Sequence, residues 1–141
     1  MATEENEIKT SEVEYSYNHK DDTLVSYITW ANKGVSLAVT LSIKGVLYSG
    51  MIIGGARWCD LMAEQLSSSS PSEEATEAIN NYFNHIKNER YSSPPDEFDA
   101  IEFIHLEAVR VFQGAQQIQT PDTVWRLKVG EVDGYTLGAW K

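Results

Sequence analysis

The sequence predicts an α+β fold: a small, strongly bent antiparallel β-sheet or barrel, with an N-terminal helix and a helical insertion between its second and third strands. Residues 35–44 alternate between apolar and polar side chains and end in a Lys-Gly turn, which is typical of a β-hairpin. Residues 71–90 carry apolar residues at helical spacing. Three more strand-like runs follow residue 100, so strands and helices do not alternate along the chain. An open five-strand sheet is the alternative to a barrel.

The length of 141 residues suits one domain with its own core. Residues 1–20 are polar and acidic and bury too little apolar surface to offset the entropy cost of ordering, so we expect an acidic mobile tail. A single α+β domain is expected over residues 21–141, with its helical insertion at about 56–90. No repeat is visible.

The net charge of −10 excludes one class of partner. Residues 1–22 and residues 73–99 each hold seven acidic residues against two basic ones, and the rest of the chain is neutral. Nucleic-acid affinity comes mainly from Lys and Arg that neutralise phosphates, and no basic stripe is present, so nucleic acid is not an expected partner. No apolar run has the roughly 18 residues of a membrane span, so we expect a cytoplasmic protein.

The first helix is expected to begin at Asp22 and to end near Gly34. Asp22 is a suitable N-cap, Leu24 and Ile28 are spaced for one helix face, and Gly34 suits a left-handed C-terminal position. The β-branched and aromatic residues of this stretch also suit a strand, which remains open.

The hairpin that follows is the clearest element of the sequence. Its strands are VSLAVTLSIK (35–44) and VLYSGMII (46–53), and Lys44 and Gly45 form the tight turn between them.

Two helices are expected in the insertion. The first follows Gly54 and Gly55, and the second begins at a capping box of Ser70 to Glu73 and spans about residues 71–90. The pair Pro94 and Pro95 then forbids a helix and marks a loop. The last three strands are expected at 101–112, 124–130 and 135–140, with a turn at Asp133-Gly134 between the last two.

The stretch YSGMIIGGARW, residues 48–58, has the glycines of a phosphate-binding loop but lacks its other parts. A Walker loop needs Lys and Ser or Thr after its last glycine, whereas Gly55 is followed by Ala-Arg-Trp. A dinucleotide fingerprint needs Gly-x-Gly-x-x-Gly within a βαβ unit. We therefore interpret Gly50 as part of a bend or bulge, and Gly54 and Gly55 as the exit into a helix.

Neither metal-ligand nor catalytic spacing is found. His19, His85 and His105 are scattered, and His105 is expected to point away from the face of its neighbours Ile104 and Leu106. The single cysteine, Cys59, is expected to be a buried, inert thiol. The sequence thus predicts no metal, no cofactor and no catalytic residues, although a catalytic set assembled in space stays open.

Aromatic and basic residues near the C-terminus are the candidate partner-binding residues. On the strand around Trp125, the side chains of Arg126 and Lys128 should face opposite to Trp125, and Tyr135 follows on the last strand. Large aromatics together with arginine are favoured in protein interfaces. We therefore predict protein binding through Trp125, Arg126, Lys128 and Tyr135.

Three segments resemble the U-type accessory proteins of gas vesicles. They are a strand, turn and strand ending in Ser-Gly-Met-Ile-Ile-Gly at 49–54, Ile-His-Leu-Glu-Ala at 104–108, and Trp125 followed by Val-Asp-Gly-Tyr-Thr-Leu-Gly at 132–138. The resemblance covers roughly residues 35–66 and 100–141. The layout is also analogous to Sm-like or SH3-like small barrels.

The resemblance implies a non-enzymatic accessory or interaction protein that assists gas vesicle assembly, stability or clustering by binding structural or accessory vesicle proteins. It supplies no catalytic residues. Self-association into a homo-oligomer also stays open. The alternative is a small ligand-binding or enzymatic domain with a pocket between the sheet and the inserted helix.

Overall fold

The computed structural model describes the backbone of residues 20–93 and 98–140, together with their side chains except those of residues 99 and 119–121. Along the chain come one helix, a two-strand hairpin, two helices and three strands, in the predicted order. The helices are α1 (Asp22–Asn32), α2 (Gly55–Ser68) and α3 (Glu73–Ile86). The strands are β1 (Leu37–Ile43), β2 (Val46–Ile53), β3 (Phe103–Gln113), β4 (Gln116–Lys128) and β5 (Gly134–Leu137). A π-helical turn, Lys87–Tyr91, continues α3.

The five strands form one antiparallel sheet in the order β4-β3-β2-β1-β5. β4 and β5 are the two edges and do not pair with each other, so the sheet is open. The predicted α+β class, N-terminal helix and insertion between the second and third strands are confirmed. The barrel is wrong and the open five-strand alternative is correct, because the four-residue β5 pairs with β1 and cannot reach β4.

Helix α1 covers one face of the sheet. Its apolar stripe lies on buried residues of β1, β2 and β3, among them Val39, Ile52 and Leu106, which are fully buried. The N-cap is Asp21 rather than the predicted Asp22, since the Asp21 carboxylate accepts a hydrogen bond from Leu24 N at 2.9 Å. The members of this main core on α1 are Leu24, Val25, Ile28 and Ala31.

The hairpin turn has the geometry that its sequence predicts. Lys44 (φ +51°) and Gly45 (φ +83°) both adopt positive φ, as a two-residue turn matched to the strand twist requires. The Asp133 carboxylate accepts a hydrogen bond from Lys44 N at 2.7 Å, which ties the segment before β5 to the hairpin. The turn predicted at Asp133-Gly134 is wrong: the chain turns earlier, at the 3-10 helical turn Val129–Glu131, and Gly134 is the first residue of β5.

The helical insertion covers part of the other face. A second, smaller core joins Ile53 at the end of β2 to Trp58 and Cys59 of α2 and Phe83 of α3. Helix α3 begins at the N-cap Ser72, two residues later than the predicted Ser70, because the Ser72 hydroxyl accepts the hydrogen bond from Ala75 N. With its π-helical turn, α3 ends close to the predicted residue 90.

The three glycines of YSGMIIGGARW stand where no side chain fits. Gly50 faces a bulge in β3, where the register shifts and Ala108 takes a positive φ of 53°. A Cβ on Gly54 would lie 2.8 Å from Ala31 O, and one on Gly55 would overlap the Tyr91 ring. Gly55 N donates to the Asn32 side chain at 3.0 Å, so protein already occupies the start of α2. The predicted roles, Gly50 at a bulge and Gly54 and Gly55 at the exit into a helix, are therefore confirmed.

The last strands differ most from their predicted bounds. Strand β4 begins at Gln116, eight residues before the predicted 124, and continues through Pro121. Strand β5 ends at Leu137, and the predicted residues 138–140 leave the sheet because Gly138 takes a φ of +104°. There Trp140 packs on Phe112, with ring centroids 5.3 Å apart.

Two predicted features lie outside the described residues: the acidic tail except for Lys20, and the loop at Pro94 and Pro95. Within 20–93 and 98–140, no helix is long and apolar enough to cross a membrane.

We expect Gly50→Ala to lower the free energy of unfolding by about 1–3 kcal/mol. A Cβ at this position would lie 2.7 Å from the backbone oxygen of Glu107 and 3.1 Å from Val109 Cγ2, so the bulge would have to move. Urea unfolding measures the change. Gly134→Ala is the control, because it too is a strand glycine but would meet no atom within 4 Å. Equal losses in the two variants would contradict the close-approach argument.

Candidate functional site

The four predicted partner-binding residues do not share one surface. Trp125 is half-buried on the α1 face of β4, in edge-to-face contact with Tyr48, with ring centroids 5.1 Å apart. Arg126 points to the opposite face, Lys128 is exposed at the end of β4, and Tyr135 lies on β5 at the other edge of the sheet. Two of these residues belong to separate regions, Arg126 to an arginine cluster and Tyr135 to an aromatic patch, and Trp125 and Lys128 belong to neither.

The arginine cluster forms where the insertion meets β3 and β4. The guanidinium carbon of Arg126 lies 3.8 Å from the ring centroid of Phe103 and 4.5 Å from that of Trp58. Each such cation–π contact stabilises by about 0.5–2 kcal/mol, with the larger values in desolvated sites. Its other members are His105, in register with Arg126 across the strand pair, and Tyr91 of the π-helical turn.

His105 is buried at the centre of this cluster, with 3% of its surface exposed. Its ring lies 4.9 Å from Trp58 and 5.9 Å from Tyr91, and its Nε2 atom has no hydrogen-bond partner among the described residues. Burial, and then the positive charge of Arg126, lower the pKa of His105 from 6.5 to about 3. The imidazole is therefore neutral at physiological pH. As predicted, it faces away from Ile104 and Leu106.

Arg126 has no carboxylate within ion-pair distance among residues 20–93 and 98–140, and its Nε atom is buried without a partner. The nearby pairs of Arg57 with Glu107 and Lys87 with Asp60 satisfy other charges. An arginine stays protonated even in such surroundings, so the cluster holds a positive charge that contacts aromatic rings and has no carboxylate partner among the described residues.

Two other side chains near this cluster have pKa values shifted by burial. Burial is the main cause that raises the pKa of Tyr91 and that of the Cys59 thiol, and Arg126 acts against both shifts. Cys59 is 1% exposed and free, as predicted. No group of three or more His, Cys, Asp or Glu residues that could hold a metal occurs in the described part of the chain.

The second region, which we call the aromatic edge patch, lies beside β5. The Tyr27 ring lies 5.7 Å from that of Trp30 and 6.1 Å from that of Tyr135. Trp30 is 47% exposed, Val35 50% and Leu137 57%. Val35 N donates to Trp30 O, which brings Val35 back to the end of α1, and Leu137 follows Tyr135 on the same side of β5. The patch thus consists of Tyr27, Trp30, Val35, Tyr135 and Leu137.

Asp21 anchors this patch. Its carboxylate accepts hydrogen bonds from Tyr135 Oη at 2.6 Å and from Leu24 N, so it joins β5 to the start of α1. That hydrogen bond, with burial and the charge of Asp21, raises the pKa of Tyr135 to about 12. Tyr135 therefore stays a neutral donor with a fixed ring.

The sequence pattern indicates Arg126 and Tyr135, but it does not indicate the side chains that pack against them. Phe103, His105 and Arg126 lie on one face of the sheet, and the alternation of side chains along β3 and β4 is the signal in the sequence that could have shown this. Nothing in the local pattern shows that Trp58 packs on them, because that contact depends on how the insertion docks.

A family model described as "Gas vesicle protein GvpU-like" matches residues 21–140. No curated protein and no solved structure matches.

We expect His105 to weaken the fold as the pH falls. The folded pKa of about 3 lies below the unfolded value of 6.5, so between them the unfolded chain binds a proton that the native state excludes. Linkage then lowers the free energy of unfolding by up to about 1.4 kcal/mol for each pH unit below 6.5. Urea unfolding from neutral pH to about pH 5 measures this dependence.

The variant His105→Gln should show a flatter pH dependence, by roughly 1 kcal/mol per pH unit. His85→Gln, which removes an exposed imidazole from α3, controls for the loss of a histidine as such. An unchanged slope in His105→Gln would show that His105 is not held neutral by burial.

Proposed function

This chain belongs to the GvpU-like family of gas vesicle proteins, and from that membership we propose a non-enzymatic accessory protein of the cytoplasm. In this proposal it assists the assembly, stability or clustering of gas vesicles by binding their structural or accessory proteins. The observation that carries the proposal is the family match, which spans residues 21–140 and so includes every described helix and strand.

We propose the aromatic edge patch as the contact surface. Exposed, adjoining aromatic and aliphatic side chains are unusual on a monomer and typical of the centre of an interface. Trp30 supports this choice best, because tryptophan is enriched among the residues that carry most of the binding energy. Its neighbour Tyr27 packs against both Trp30 and the half-buried Tyr135.

The charge around the patch favours one kind of partner surface. Asp22 is exposed in the first turn of α1, next to the anchoring Asp21. An apolar partner surface with a basic residue at its border would complement both the rings and this charge. Of the four predicted partner residues, Tyr135 belongs to this proposal, whereas Trp125, Arg126 and Lys128 lie on the opposite edge strand.

We expect Trp30→Ala to reduce the recovery of gas vesicle proteins by roughly tenfold, because truncation of a central aromatic removes about 2 kcal/mol or more of binding energy. Tagged protein is purified from vesicle-bearing cells, and the vesicle proteins recovered with it are quantified by mass spectrometry. Trp30 is already half exposed, so the variant should keep its fold, which circular dichroism checks.

Tyr82→Ala is the matched control. Tyr82 is 61% exposed on α3, away from the patch, so its loss should leave recovery unchanged. Equal losses in the two variants would contradict the patch as the contact surface. Failure of the wild type to recover vesicle proteins, together with vesicles unchanged by gene deletion, would contradict the accessory role itself.

A further inference from the structure

Residues 138–140, which we call the strap, cross the face of the sheet that lies opposite α1. Gly138 takes a φ of +104°, so the chain leaves the line of β5 there. The strap then passes over β1 and β2, and the Trp140 ring packs on Phe112 of β3, with ring centroids 5.3 Å apart. The end of β5 is thus attached to the sheet on the face opposite to the aromatic edge patch.

Two buried hydroxyl groups hold the strap. Thr40 on β1 is 4% exposed, and Ser49, in register with it on β2, is 1% exposed. Thr40 Oγ1 donates to Gly138 O at 2.9 Å, and Ser49 Oγ accepts from Trp140 N. The two hydroxyl oxygens lie 3.0 Å apart, and because each hydroxyl has a single hydrogen, Ser49 must donate to Thr40. The four groups therefore form one chain of hydrogen bonds that begins and ends on the strap.

The strap can separate from the sheet without disturbing either hydrophobic core. Gly138 and Ala139 are exposed, Trp140 is 50% exposed, and none of the three belongs to a core. The hydrogen bonds and the half-buried ring that hold the strap are opposed by the conformational entropy of the ordered residues, which is of similar size. Segments with so few contacts open locally while the rest of a domain stays folded. The docked and released states of the strap are thus close in free energy.

Strand β5 connects the strap to the aromatic edge patch. It is an edge strand of four residues, and the last bond of its ladder runs from Gly138 N, in the strap, to Ala38 O at 2.8 Å. Leu137, which is 57% exposed in the patch, directly precedes Gly138. Nearer the start of β5, the Tyr135 hydroxyl is held by Asp21. Release of the strap should therefore free Leu137 but not Tyr135.

We propose that docking of the strap controls the aromatic edge patch, an inference that rests on the proposed function. With the strap docked, β5 is paired to its end and Leu137 completes the apolar surface. With the strap released, the end of β5 separates from β1, and a partner meets a surface without Leu137. Thr40 and Ser49 are positioning residues: they are buried on the opposite face and do not contact the partner, yet they set the fraction of molecules that can bind it.

The first measurement is amide hydrogen exchange, followed by NMR on the full chain. Thr40→Val keeps the shape of the side chain but removes the donor to Gly138 O. The amides of Gly138 and Trp140 should then exchange about tenfold faster, because the docked state loses a hydrogen bond. Amides at the centre of β3 should change little, since their exchange requires opening of the core rather than of the strap. Unchanged exchange at both strap amides would refute the role of the hydroxyl groups.

The second measurement is the recovery of gas vesicle proteins with the tagged chain, as for Trp30→Ala. Thr40→Val should lower recovery about two- to threefold, because only docked molecules present the whole patch. Thr40→Ser keeps the hydroxyl and should restore both the recovery and the slow exchange. Ser42→Ala is the matched control: it removes a half-buried hydroxyl from the same face of β1 that takes no part in the hydrogen-bond chain, and it should match the wild type.

The outcomes separate this inference from the proposed function. Faster exchange in Thr40→Val with wild-type recovery would overturn the coupling of strap and patch and leave the accessory role standing. A wild type that recovers no vesicle proteins would contradict the accessory role and the coupling with it. If Thr40→Val does not fold, Trp140→Ala decides by the same two measurements, because its half-exposed ring can be removed without loss of the fold while the strap loses its contact with Phe112.

Discussion

The junction at Gly54 and Gly55 is the constraint on which the rest of the molecule depends. There the end of α1, the exit from β2 and the π-helical turn approach so closely that a Cβ on either glycine would meet Ala31 or Tyr91. Glycine is required here for space, because neither residue has the positive φ that would demand it for conformation. This contact fixes the direction in which the insertion leaves the sheet, and so decides which sheet residues the insertion covers.

The arginine cluster is a consequence of that direction. Helix α2 begins at the junction, and one turn later it places Trp58 over the face of β3 and β4 that carries His105 and Arg126. A charged side chain in such a place costs several kcal/mol unless it is compensated. Here two aromatic faces compensate the charge, no carboxylate of residues 20–93 and 98–140 pairs with it, and His105 avoids a second charge by remaining neutral. The insertion therefore creates the arginine cluster.

Local patterns were enough to predict much of this fold. The hairpin and the capped α3 each depend on side chains close in sequence. The turn predicted at Asp133-Gly134 is wrong, because β4 and β5 lie at opposite edges of the sheet and the chain between them turns at Val129–Glu131. The predicted N-cap of α1 was wrong by one residue, because Asp21 and Asp22 are equally good caps and only the contact with Tyr135 distinguishes them. The first eight residues of β4 were not predicted as strand, and Pro121 lies among them. Proline is unfavourable within a sheet, but it is tolerated in an edge strand, where its missing N–H needs no partner.

The sequence could not show whether the sheet closes into a barrel or how the helical insertion docks on it. A sheet closes only if its edge strands pair with each other. Here the short β5 pairs with β1, a contact between residues far apart in sequence, and so β4 and β5 stay at opposite edges. The open sheet has two free edges, and these affect how the protein can bind another chain. The β4 edge carries a proline, and the β5 edge has only four residues, so neither can offer a long ladder of backbone hydrogen bonds to another chain. Recognition at these edges must then rely on side chains, and beside β5 those are the exposed rings and aliphatic groups around Tyr135.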